Sequence, residues 1–64
     1  MIIYYVFEKQ PYVDFHSLME LSERNRSFLY RFLKTHNINY IKYKNTILYK
    51  YEDILKNPHV FRKG

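Results

Sequence analysis

Sixty-four residues with 11 Lys and Arg against six Asp and Glu make one small basic chain of net charge +5. It has no cysteine, which excludes a disulfide framework and a thiolate zinc site. A domain this short buries only about 60% of its unfolded surface, and eight Tyr and five Phe supply the large buried area per residue that a small core needs.

Ile2-Ile3-Tyr4-Tyr5-Val6-Phe7 is the only continuous apolar run. It is too short to span a bilayer and lacks the leader and cleavage site of a signal peptide, so the chain is expected to be soluble and cytoplasmic, with no membrane partner. Its β-branched and aromatic residues predict a buried strand, broken at Gln10-Pro11. Asp14 offers an N-cap, with Val13 as staple, for a short amphipathic helix from Phe15 to Leu21 or Ser22 with Phe15, Leu18 and Met19 inward. Ser22-Glu23-Arg24 interrupts, and Asn25 caps a second helix running to about His36, where Asn37 suits a left-handed ending. At about 100° per residue, Leu29, Phe32 and Leu33 share one face. Ser27, Arg31 and Lys34 lie opposite, with Tyr30 and Arg24 at the edges.

From Tyr40 the period changes to two, which predicts a hairpin through Tyr51 turning at Lys44-Asn45-Thr46, with one packed face and one lysine face. The N-terminal strand is expected to pair with it as a third strand, since an isolated hairpin is barely stable. A short last helix from Glu52 to Asn57 stops at Pro58. Residues 1–57 are thus expected to form the domain, and 58–64 a tail that frays unless Phe61 docks.

Charge gives these elements meaning. Between Glu23 and Glu52 there is no acidic residue, whereas Arg24, Arg26, Arg31, Lys34, Lys42, Lys44 and Lys50 all fall there. Solvated faces usually mix signs; a one-sign window on a helix and a hairpin attracts polyanions. Two short helices, a tight turn and a basic second helix are the parts of a helix-turn-helix. A lysine-bearing hairpin adds a wing, and a helix of this kind fits the major groove of DNA.

Arg24-Asn25-Arg26-Ser27-Phe28-Leu29-Tyr30-Arg31-Phe32-Leu33-Lys34 resembles the Val-Ser-Arg-Ser-Thr-Val-Tyr-Arg-Trp-Ile-Lys centre of the small excisionase-like, MerR-type winged-helix DNA-binding domains. Ile38-Asn39-Tyr40-Ile41-Lys42 is similar to the strand entering their wing, and Tyr51-Glu52-Asp53-Ile54 to the Arg-Glu-Asp-Leu that opens their last helix. The match runs from about Tyr12 to Leu55. The chain departs from the family where Glu23, His36-Asn37 and Lys44-Asn45 replace glycines, and where Leu18-Met19 replaces two alanines.

The resemblance implies an α+β winged helix-turn-helix that binds double-stranded DNA. Arg26, Ser27 and Tyr30 would face the major groove, Arg31 and Lys34 the phosphates, with Arg24 at the helix entrance. Lys42, Lys44, Asn45, Thr46 and Lys50 would be the wing contacts. The implied role is that of a phage or mobile-element protein: an excisionase-like architectural factor acting with an integrase or recombinase, or a small regulator of transcription, several copies binding side by side. The hairpin lysines also have a plain reading as edge protection, and most tyrosines as core filler. One alternative is an RNA-binding module stacking bases on a Tyr-rich sheet; another is a protein-interaction or inhibitor module with no nucleic acid partner. His16, His36 and His59 are too far apart for a local metal motif, and no nucleophile–base pair or phosphate-cradling loop is evident, so neither enzyme activity nor a cofactor is expected.

Overall fold

The structure, a computed structural model describing residues 2–61, has an α+β architecture with a four-stranded antiparallel sheet and three helices. Strand β1 (Tyr4–Phe7) runs into β2 (Gln10–Asp14) through Glu8-Lys9. Both turn residues have positive φ, 51° and 65°, as a two-residue turn matched to strand twist requires. The break expected at Gln10-Pro11 is therefore a second strand. Pro11 sits opposite Val6, a position where a missing N–H is tolerated. The run Ile2 to Phe7 is an exposed edge rather than a buried strand, and Val6 is 67% accessible.

Helix α1 (Phe15–Ser22) starts where expected, because the Asp14 carboxylate accepts the Ser17 N–H at 2.7 Å. It ends at Glu23, whose φ of 57° lets its N–H reach the Met19 carbonyl without a glycine. Asn25 then caps α2 (Arg26–Thr35) by accepting the Phe28 N–H at 2.8 Å. Asn37 takes the left-handed conformation (φ 51°) after its end. Leu29, Phe32 and Leu33 are the buried residues of α2, the face that its periodicity predicts.

Strands β3 (Tyr40–Tyr43) and β4 (Thr46–Lys50) form the later hairpin. Its turn has two residues, Lys44-Asn45, with Lys44 at φ 56°, so Tyr43 pairs with Thr46 and Lys42 with Ile47. A three-residue turn through Thr46 would shift this register by one, and such a slip moves every side chain of one strand to the other face. The expected single lysine face is thereby lost. Lys42 shares a face with Ile47 and Tyr49, while Lys50 lies on the other with Leu48. The strand order is β1-β2-β4-β3. It is β2, not the N-terminal strand, that joins the hairpin, pairing Val13 with Tyr49 and Asp14 with Leu48.

Helices α1, α2 and α3 (Tyr51–Leu55) pack Leu18, Leu29, Phe32, Leu33 and Ile54 against Val13, together with Ile38 and Val60. The two buried hydroxyls are satisfied: Ser17 Oγ accepts from the Ile3 N–H at 2.9 Å, and Ser22 Oγ donates to the Leu18 carbonyl at 2.8 Å. The segment expected to fray does not do so as far as Phe61. Pro58–Val60 forms a 3-10 turn, Val60 is fully buried and Phe61 packs on the core. Residues 62–64 lie outside the described region. Among the described residues no helix is long and apolar enough to cross a membrane.

Candidate nucleic-acid interface

With Leu29, Phe32 and Leu33 turned inward, α2 presents Arg26, Ser27, Tyr30, Arg31 and Lys34 to solvent, all of them exposed. Ser27, Arg31 and Lys34 form the outward ridge, and Arg26 and Tyr30 occupy one flank. Lys34, in the last turn, also complements the helix dipole. Among the described residues no ion pair engages a cation between Arg24 and Lys50; the two side-chain pairs are His16–Glu20 and Lys56–Asp53. The positive field of the helix is therefore not neutralised locally.

The Tyr30 ring stacks on Phe15, at 4.6 Å between centroids and 16° between planes. Past this stack lies a groove of about 460 Å³, bordered by Tyr30 on α2, by Asn45, Thr46 and Ile47 at the tip of the β3–β4 hairpin, and by Asp14 at the start of α1. The helix flank and the hairpin tip, 15 residues apart in the chain, thus border one concavity. Lys42 lies on the same sheet face as Ile47, and Lys44 precedes Asn45 in the turn, its ammonium 5.3 Å from the Tyr43 ring. Asp14 is the carboxylate in the groove, and its oxygens accept from Ser17 N–H and Tyr5 O–H. The groove lining is thus polar and aromatic, with one carboxylate and no lysine or arginine; the cations of α2 and the hairpin lie outside it.

Tyr49 also lines this groove. Burial, then the neighbouring Tyr30 and Tyr40 hydroxyls, raise its pKa above the ordinary 10.0. Tyr51 moves the same way, through burial and then its hydrogen bond with Tyr4. In both, the folded chain holds the phenol proton more tightly than the unfolded chain does. Their stabilisation is complete below pH 10.0 and is lost as pH rises through the higher folded values. Urea midpoints are expected to fall on the alkaline side of that value. The fall should be shallower in Tyr49→Phe/Tyr51→Phe; an identical slope in wild type and variant would remove these two groups as its cause.

Two of the sequence-predicted contacts stand elsewhere. Lys50 is half-buried on the opposite sheet face from Lys42. Arg24 is turned toward the chain's end: its Nε donates to the Val60 carbonyl at 3.0 Å, its Nη2 to the His59 carbonyl at 3.1 Å, and its guanidinium lies 4.2 Å from the Phe28 ring centroid. Arg26, Ser27, Tyr30, Arg31, Lys34, Lys42, Lys44, Asn45 and Thr46 remain on the exposed surface of helix and hairpin tip. Sequence reasoning missed Phe15 and Tyr49 as groove residues. Both read as core by periodicity, and no local pattern reports that they meet Tyr30.

On the other flank of α2, Arg31 borders a second concavity of about 260 Å³ with Phe28, Phe32, Thr35, His36 and His59. The two imidazoles, 23 positions apart in sequence, lie 5.1 Å from each other, and each contacts the Phe32 ring. Among the described residues there is no group of three or more His, Cys, Asp or Glu side chains that could hold a metal ion. Comparisons with protein-family models, curated proteins and solved structures found no match to this chain.

Proposed function

We propose that this protein is a small winged helix-turn-helix that binds duplex DNA, with α2 in the major groove and the β3–β4 hairpin as a wing on adjacent phosphates or the minor groove. The observation carrying this reading is that Tyr30 on the basic helix and Asn45-Thr46 at the hairpin tip border the same groove, so helix and wing make one surface. The resemblance around Arg26, Ser27 and Tyr30 adds to it, as does the absence of ion pairs on the described cations of that surface. Arg26 reads a base edge; Arg31, Lys34, Lys42 and Lys44 contact phosphates and set the register. Arg24 and Lys50 are left out of the contact set, Arg24 because its donors are already engaged by carbonyls. The proposed role, following the resemblance, is architectural or regulatory, as an excisionase-like partner of a recombinase or a regulator at a promoter of a phage or mobile element.

A flat stacking platform for RNA receives less support. On the sheet face carrying Leu48, Phe7 meets Tyr12 at 77° and Tyr43 at 55°, so these rings pack on one another rather than lying open and parallel to receive bases.

The test is titration of labelled duplex DNA over a range of salt concentrations. About four to seven phosphate contacts, at roughly 0.9 counterion each, predict a log–log slope of about −4 to −6. Duplex binding with no salt dependence, or tighter binding to single-stranded RNA, would overturn the proposal. Footprinting on the flanking DNA then separates the two roles: direct repeats beside an attachment site mean excisionase, and a lone site over a promoter means regulator.

A further inference from the structure

The strand order leaves two free edges, β1 and β3, and they differ in kind. The β3 edge is guarded by Lys42, followed by Lys44, the usual protection against edge-to-edge pairing. Residues 2–7 carry no charge at all, and Ile2, Ile3, Tyr4 and Val6 are exposed. In a chain of net charge +5, two copies repel across most pairings of their surfaces, but β1 against β1 apposes no like charges.

The backbone of β1 is also set for pairing. Ile3 directs its N–H inward, to Ser17 Oγ at 2.9 Å. Backbone direction alternates along an edge strand, so the N–H and C=O groups of Tyr4 and Val6 point away from the sheet. Pro11, which has no N–H, sits opposite Val6, consistent with that alternation.

We propose that β1 is a self-association edge, pairing antiparallel with β1 of a second copy about a two-fold axis at Tyr5. In this register Tyr4 of each copy faces Val6 of the other and exchanges both backbone hydrogen bonds with it. Ile3 faces Phe7, Tyr5 faces its own symmetry mate, and the two sheets continue as one of eight strands. The pairing is isologous, so it closes at two copies, and it covers Val6, the most exposed large apolar side chain among the described residues, with the partner's Tyr4. Its small area makes it a weak, reversible interface. It does not depend on the DNA reading, and it is tested without DNA.

Sedimentation equilibrium of the 8.1 kDa chain is expected to show monomer and dimer in reversible, concentration-dependent exchange, as a small interface implies. Val6→Lys, at a position too exposed to unfold the domain, places like charges near the axis and should hold the chain monomeric. Val6→Pro removes an N–H that the sheet itself does not use, with the same result. Tyr5→Cys creates the chain's only cysteine at a non-hydrogen-bonded pair, where Cα atoms approach to about 4.5 Å. Oxidation should therefore link two copies of this variant, whereas Tyr40→Cys, at an exposed position on the other edge strand, should not be linked. A wild type that stays monomeric to millimolar concentration, a dimer indifferent to both Val6 substitutions, open-ended assembly, or no preference for the Tyr5→Cys linkage would each overturn the proposal.

Discussion

Val60→Asp is expected to remove a large share of the folding stability and to lower the urea midpoint sharply. Val60 has no accessible surface and packs in the same cluster as Leu18, Leu29, Phe32 and Ile54. An unpaired carboxylate placed there, with the loss of the valine's own contacts, costs about 3–5 kcal/mol. A domain of this length has about 3–10 kcal/mol of stability in all. The graded versions follow the same logic. Val60→Ala removes two methyl groups and should cost about 2 kcal/mol. Arg24→Ala, which removes two hydrogen bonds to the 59 and 60 carbonyls, should cost about 1–2 kcal/mol. Urea denaturation followed by circular dichroism checks all three. If the segment after Pro58 were a frayed tail, every one of these substitutions would be neutral, and equal midpoints would show that it does not dock.

Arg26 and Arg31 are expected to fail in different ways. Arg26→Ala should weaken the preferred site by about 10- to 100-fold, roughly 1–3 kcal/mol, while leaving binding to unrelated duplexes nearly unchanged, because in the proposed complex the loss is a paired contact to one base. Arg31→Ala should weaken binding to all duplexes alike and lower the salt slope by about one. Neither should shift the urea midpoint, since both side chains are exposed and neither takes part in an ion pair among the described residues. Arg24→Ala is the internal control: it acts on stability, and its effect on affinity should vanish once the folded fraction is equalised. Anisotropy titrations on one preferred and one scrambled duplex separate these outcomes. If both Arg26→Ala and Arg31→Ala bind like the wild type, the helix face is not the contact surface.

The helical half of the fold was readable because its determinants are local. Asp14 and Asn25 cap N–H groups three residues away, and the spacing of Leu29, Phe32 and Leu33 selects the buried face of α2 within a few turns. The basic face followed from the same periodicity, so Arg26, Ser27, Arg31 and Lys34 stand exposed as expected.

What failed was whatever depended on a turn with the wrong chemistry or on partners far along the chain. Glu8-Lys9 adopts positive φ at both positions with neither Gly nor Asn, and Pro11 reads as a breaker, so β2 was hidden. Lys44 is likewise left-handed, and counting the turn as three residues put the hairpin lysines on one face.

Sequence by itself determined the helices, their caps and a one-sign stretch of charge, because each depends on residues within a turn or two of one another. Only the tertiary structure decided the order β1-β2-β4-β3 and the register that parts Lys42 from Lys50. It also decided the docking of Val60 against Arg24 and the groove that unites Tyr30 with Asn45 and Thr46. The hairpin register rests on a two-residue turn with Lys44 left-handed. The others rest on pairings between residues 15 to 38 positions apart, where the free energy comes from burial and long-range hydrogen bonds that no local pattern records.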